Sequence, residues 1–153
     1  MSWLSNTELE QALEAYGDVD VLLAFRGIYP NDALPRTKVK PPVFIIVNTD
    51  PHNLPGQHWK VIYIDEHHHG EVFDSLAIPL SNHVIRFMNE HCIRWKTNRS
   101  MFQHPKSKQC GVYVLYFITQ RFMYPSLRSL CQTFSSDLKK NEKMMSQFYR
   151  QLQ

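Results

Sequence analysis

The chain has 153 residues, 43% hydrophobic and 20% charged, with 17 basic and 14 acidic side chains. One domain is expected, large enough to bury roughly 70% of its unfolded surface without staples, and an aromatic content of 12% argues against disorder. The longest apolar runs, Val43–Val47 and Val112–Ile118, fall far short of the ~18 residues a membrane span needs. Three cysteines cannot all pair within one chain, and residues 1–8 lack a signal-peptide pattern, so a reducing, intracellular setting is expected. The charge is uneven. Residues 1–35 carry six acids (Glu8, Glu10, Glu14, Asp18, Asp20, Asp32) against Arg26 alone, so the rest holds a surplus of eight positive charges. Such asymmetry suits a polyanionic partner or a solvated face.

In chain order, Ser5-Asn6-Thr7-Glu8 has capping-box spacing, and Leu9, Ala12, Leu13 and Tyr16 follow at helical intervals until Gly17. Gly27, Pro30, Asn31, Pro35, Pro41 and Pro42 make residues 26–42 read as loop. Val43-Phe44-Ile45-Ile46-Val47 reads as a strand buried on both faces. A polar loop follows from Asn48 to Gln57. Trp59–Ile64 then reads as a strand, His67–Gly70 as a turn and Glu71–Asp74 as the returning strand of a hairpin. Pro79–Cys92 is expected to be helical, with Ser81 as cap and Val84, Ile85 and Met88 on its apolar face. Arg94–Thr97 reads as a short strand, and Cys110–Met123 as a largely buried helix. Leu138, Met145, Phe148, Tyr149 and Leu152 mark a last amphipathic helix. The class is α+β, a small central sheet flanked by helices.

Nucleophilic chemistry is suggested by Cys110, which lies where the polar loop His104 to Gln109 meets an apolar helix. A helix N-terminus favours a thiolate, and Gly111 permits close backbone approach. A buried structural cysteine is the competing reading. His58, at a loop–strand junction beside Trp59, could serve as base, with a carboxylate to fix its tautomer. Asp74 at the end of the partner strand could face it across the hairpin. Glu71, three residues away, should point to the opposite face. The Cys110 N–H and the Gln103 side-chain amide are candidate donors to an oxyanion. His67-His68-His69 lacks a Cys pair or Glu to complete a tetrahedral shell, so a polar turn is favoured and no metal is expected.

Gln-His-Trp at 57–59, Val-Phe-Asp-Ser at 72–75 and Gln103-(six residues)-Cys110-Gly111 resemble adenain, the adenovirus-type cysteine endopeptidase. The order His, acid, Cys is shared with adenain and with the related ubiquitin-like-protein proteases. Adenain-like enzymes place Gln seven positions before Cys, as here; the cellular enzymes usually place it six before. Ile-Val-Asn-Thr at 46–49 and the N- and C-terminal helices extend the similarity over most of the chain. The resemblance implies an adenain-like cysteine-proteinase fold over residues 1–153, with His58 as general base, Asp74 as its orienting partner, Cys110 as nucleophile and Gln103 as oxyanion donor. Many adenains have Glu where this chain has Asp74; either carboxylate can do the job.

The resemblance also bears on partners. Cys92 stands 18 residues before Cys110, the separation at which adenain carries the cysteine that disulfide-bonds an activating viral peptide. An ordinary cysteine near a helix end is the alternative, and Cys131 has no matching role. Arg86, Arg94, Lys96, Arg99, Lys106 and Lys108 fall between the proposed acid and nucleophile, opposed only by Glu90, with Lys139, Lys140 and Lys143 further on. Since adenain-like enzymes use DNA as a cofactor, these residues are candidates for sequence-independent phosphate contacts.

The function implied is a viral or virus-like endopeptidase, a monomer of the host nucleus and virion. It would cleave virion precursors at small, glycine-containing sites beside a groove at Trp59. Two alternatives stay open: an isopeptidase removing ubiquitin or ubiquitin-like modifiers, and a non-catalytic DNA- or protein-binding relative.

Overall fold

In the computed structural model, which describes residues 3–48 and 58–153, the strand expected to be buried on both faces is β2 (Val43–Asn48). Val43 to Val47 are all fully buried. β2 lies second in a five-stranded sheet of order β1-β2-β3-β4-β5, between β1 (Phe25–Pro30), which runs parallel to it, and β3 (Trp59–Ile64), which is antiparallel. β4 (His69–Phe73) returns antiparallel to β3, and β5 (Arg94–Thr97) adds parallel to β4 as the far edge.

Side-chain alternation divides the core. Phe44, Ile46, Val61, Tyr63 and Phe73 face one layer, where α4 (Cys110–Gln120) packs on β3 with α1 (Asn6–Tyr16) and α6 (Leu138–Leu152) around it. Val43, Ile45, Val47, Ile62, Ile64 and Val72 face the other layer, covered by α3 (Asn82–His91). α4 is apolar around its circumference and is buried from Cys110 to Thr119, so the sheet and neighbouring helices enclose it. It ends in a 3₁₀ turn, Arg121–Met123.

The capping box at Ser5 and the left-handed cap at Gly17 form as expected. α3 begins after Ser81 as expected, but it buries Val84, Phe87 and Met88, while Ile85 stays partly exposed. The hairpin's second strand is shifted: β4 starts two residues before Glu71, and Asp74 lies just beyond its end.

Residues 26–42 are not all loop. β1 occupies 25–30, and a short helix, α2 (Val19–Ala24), leads into it. Gly27 has φ 115°, and the register slips between Phe25 and Ile28, so the glycine absorbs an irregularity within the strand. Pro30 is tolerated because β1 is an edge strand. A further short helix, α5 (Leu127–Cys131), lies before α6 and had no periodic signal. Apart from Asn48, the polar loop expected from Asn48 to Gln57 lies outside the described residues. So do Thr49 and Gln57 of the two motifs that contain them.

Two glycines set helix positions. A Cβ on Gly70 would stand 2.4 Å from Cys92 Sγ and 2.6 Å from Met88 Cε, so α3 can close on β4 only over a glycine. A Cβ on Gly111 would meet Leu4 and Leu9 at 3.1–3.3 Å, so the close approach there is made by the N-terminal segment.

Candidate active site

The register that sets Val61 opposite Phe73 carries β3 and β4 on toward Lys60 and Asp74, with His58 two residues further along. Alternation puts His58 and Lys60 on the same side of the strand, and both reach Asp74. His58 Nε2 lies 2.7 Å from Asp74 Oδ1, and Lys60 Nζ lies 3.3 Å from Oδ2. The turn after β4 supplies two more donors: Leu76 N–H to Oδ1 at 2.9 Å and Ile78 N–H to Oδ2 at 3.0 Å. Each carboxylate oxygen therefore has two partners, and the group is 1% exposed.

Burial is the largest single influence on the Asp74 carboxyl and works to raise its pKa. The hydrogen bond and charge of His58, the Lys60 ammonium and the Leu76 N–H together outweigh it and hold the pKa below the ordinary carboxylate value. An ionised Asp74 accepts only, so His58 Nε2 carries the proton in this bond and Nδ1 is the nitrogen able to act as base.

Asn98, just past β5, fixes the backbone beneath this carboxylate. Its Oδ1 accepts the Asp74 N–H at 2.9 Å, and its Nδ2 donates to the Asp74 carbonyl at 2.7 Å. The side chain thus continues the β4–β5 pairing one residue beyond both strands. Neither Asn98 nor Lys60 was singled out from the sequence. A lysine within a six-residue strand that is otherwise apolar was the available signal for Lys60; Asn98 had none.

Glu71 points the other way. Its two oxygens take Arg121 Nε and Nη2, each at 2.7 Å, and the Arg121 guanidinium lies 5.0 Å from the Tyr63 ring centre. This bidentate pair ties the end of α4 to the sheet, away from His58.

Cys110 is the first residue of α4 and is fully buried. Among the six α-helices of the described residues, α4 is the one without a side-chain cap; Ser5, Asp18, Ser81, Ser126 and Asp137 cap the others. Gln109 stands at the cap position, but its side chain turns to α6, where Nε2 donates to Glu142 O at 3.2 Å and Oε1 at 3.1 Å. Glu142 Oε2 also accepts from Tyr113 Oη at 2.5 Å and from the His104 N–H at 3.5 Å. Burial, reinforced by this carboxylate partner, pushes the Tyr113 phenol far above its usual pKa.

Gln103 is fully buried. Ser75 Oγ donates to its Oε1 at 2.6 Å, and its Nε2 donates to Ser107 O at 3.0 Å. The backbone N–H groups of Phe102 and Gln103 both end on Ser75 O, at 2.8 and 3.0 Å.

Trp59 is fully buried and donates its indole N–H to Leu4 O at 3.1 Å, so it is a core residue joining β3 to the N-terminal segment and does not line an exposed groove. Arg86, Arg94, Lys96, Arg99, Lys106 and Lys108 are all exposed. Lys96 and Arg99 line a 440 Å³ cavity together with Arg128; Arg94 and Lys96 line a second, of 330 Å³. Cys92 caps the C-terminus of α3, half-buried against Gly70, and burial raises its thiol pKa to about 11. Cys131 is likewise raised to about 12. His67 and His69 donate their backbone N–H groups to Asp65 Oδ1, each at 2.9 Å, which makes the triple histidine a tight polar turn. No group of three potential metal ligands occurs among the described residues.

No family model and no curated protein sequence matches the chain. Solved structures do. Two crystal structures of the ASFV pS273R protease match with TM-scores of 0.69 and 0.67 at 18% identity, over 97% of this chain and 66% of theirs. The fold is the one seen in these protease structures. ChlaDub1 from Chlamydia trachomatis matches with a TM-score of 0.55 at 13% identity, over 99% of this chain and 79% of that one. The chain spans just under two thirds of the ASFV protease chains. At these identities the likeness carries the fold alone and does not single out the adenain branch that the sequence motifs resemble.

Proposed function

We propose that the protein is a cysteine peptidase with Cys110 as nucleophile, His58 as base, Asp74 as the group that orients His58, and Gln103 with the Cys110 N–H as oxyanion donors. The observation that carries this reading is the 2.7 Å bond between His58 and the buried, four-partnered Asp74. A carboxylate held ionised beside an imidazole has the arrangement that fixes a tautomer and stabilises an imidazolium. The uncapped N-terminus of α4 supports the same reading, because it favours negative charge on the sulfur and on a developing oxyanion.

In this mechanism His58 Nδ1 takes the Cys110 proton, and the thiolate attacks the peptide carbonyl to form the S–C bond. The tetrahedral oxyanion lies against the Gln103 Nε2–H and the Cys110 N–H. The imidazolium gives its proton to the leaving amine, and water activated by His58 then hydrolyses the thioester.

For substrate, the motif resemblance and the likeness to a viral protease support an endopeptidase of a virus or virus-like element, acting on virion precursors at glycine-containing sites. An isopeptidase releasing ubiquitin-like modifiers would use the same residues. The test is cleavage of glycine-containing peptides and of modifier-fused reporters by wild type and Cys110→Ala. Turnover that survives Cys110→Ala in a pure preparation would sink the peptidase, and the reporter cleaved faster chooses between the two substrates. A chain that neither cleaves nor is labelled by peptide aldehydes is a non-catalytic relative.

DNA as a further partner is supported by the exposed Arg94, Lys96 and Arg99, which lie on or just after the edge strand β5. Binding through them should weaken steeply with salt. A disulfide tether at Cys92 has less support, because its half-buried thiol carries little thiolate near neutral pH.

A further inference from the structure

The contribution of Gln103 to the proposed site depends on which way a planar group is turned. A carboxamide presents two N–H donors on one side and an acceptor oxygen on the other, with nearly the same shape. Turned one way it stabilises an oxyanion; turned the other way it sets a lone pair against the negative charge.

The surroundings of Gln103 fix that choice. Ser107 O can only accept, so the group 3.0 Å from it must be Nε2. Oε1 then faces Ser75 Oγ at 2.6 Å, and the hydroxyl must donate to it. One Nε2 proton is taken by Ser107, and the second is the one an oxyanion would take. Ser75 is 1% exposed and Gln103 fully buried, so water does not compete for this bond.

Ser75 also directly follows Asp74. Both residues are anchored through their backbones, each by its own partners: Asn98 holds the Asp74 N–H and carbonyl, and Ser75 O receives the N–H groups of Phe102 and Gln103. One dipeptide therefore orients the imidazole through its first side chain and touches the carboxamide with its second.

We propose that Ser75 is a positioning residue for the reaction, holding the Gln103 carboxamide with its nitrogen toward the oxyanion; this rests on the reading of Gln103 as an oxyanion donor. Replacing Ser75 by Ala removes the donor to Oε1 but leaves both backbone bonds to Ser75 O, so the 102–103 segment keeps its anchorage. The loss should fall on kcat and act only through Gln103.

The test is a double-mutant cycle on the full chain with a glycine-containing peptide reporter. Ser75→Ala should lower kcat by roughly three- to tenfold, the worth of one hydrogen bond, with KM within about twofold of wild type. In a Gln103→Ala background the same substitution should change kcat by less than about twofold. If Ser75→Ala does not fold, Ser75→Cys keeps the shape with a much weaker donor and enters the same cycle. Equal losses in both backgrounds would make Ser75 merely structural and overturn the proposal. A silent Ser75→Ala beside a damaging Gln103→Ala would overturn it while leaving Gln103 as oxyanion donor. A silent Gln103→Ala would remove the oxyanion reading and this proposal with it.

Discussion

Lys60 Nζ lies 3.3 Å from Asp74 Oδ2, the carboxylate oxygen that His58 does not use, and Lys60 is only 3% exposed. A cation this deep in a sheet has to be paired, and here it shares its counter-ion with the imidazole. Lys60→Met is expected to lose roughly 1–3 kcal/mol of stability, less than for a buried pair broken outright, because Asp74 keeps three other partners. The urea midpoint at pH 7 measures it; an unchanged midpoint would show that the pair contributes nothing net.

The pH dependence follows from Asp74. Its folded pKa lies below the unfolded value of 3.8, so its contribution to stability is present above that value and is lost as pH falls through the folded pKa. Wild type should therefore lose stability faster than Asp74→Asn on acidification below about pH 4. Parallel stability curves for the two proteins would contradict this. Lys60→Met removes one of the charges holding the carboxyl down, so the acid transition should move to higher pH.

Thiol reactivity separates the three cysteines. Cys92 and Cys131, with pKa values near 11 and 12, carry almost no thiolate at neutral pH. A peptide vinyl sulfone at pH 7.5, which forms a stable thioether, should modify Cys110 and spare the other two, as read by peptide mass spectrometry. Modification of Cys92 at a matching rate would count against Cys110 as the activated thiol and revive the tether.

Glu142 links the last helix to the segment that carries the proposed oxyanion donor and nucleophile. Its carboxylate takes the Gln109 side chain and the His104 N–H, both within residues 103–110, and Tyr113 just beyond them. Glu142→Ala should destabilise the fold by about 0.5–1.5 kcal/mol, since Tyr113 keeps only Phe102 O, Gln109 keeps only the backbone O of residue 142, and the His104 N–H loses its acceptor. It should also lower kcat, because the Gln103 and Cys110 backbones are no longer held together. A thermal shift with an unaltered kcat would confine Glu142 to a structural role.

Much of this arrangement was legible in the sequence. Trp59–Ile64 and Arg94–Thr97 form strands with the expected bounds, and the Ser5 and Ser81 caps start their helices, because local chemistry suffices in each case. The choice of Asp74 over Glu71 followed from strand period alone. What could not be read were elements whose stability is non-local. β1 contains Gly27 and Pro30, which signal a loop, and it forms because β2 offers a partner edge. α2 and α5 have six and five residues, too few for a periodic pattern.

By itself, the sequence determined a small α+β domain with one apolar helix beginning at Cys110 and a hairpin joining His58 to Asp74. Alternation and capping are short-range rules, and they were enough for that. The tertiary structure alone decided that Lys60 would share the Asp74 carboxylate, that Asn98 would clamp its backbone, and that Ser75 and Ser107 would fix the orientation of Gln103. Those contacts join residues from separate segments, and only the closing of the sheet and its connecting loops puts their polar groups within reach in a place that water does not enter.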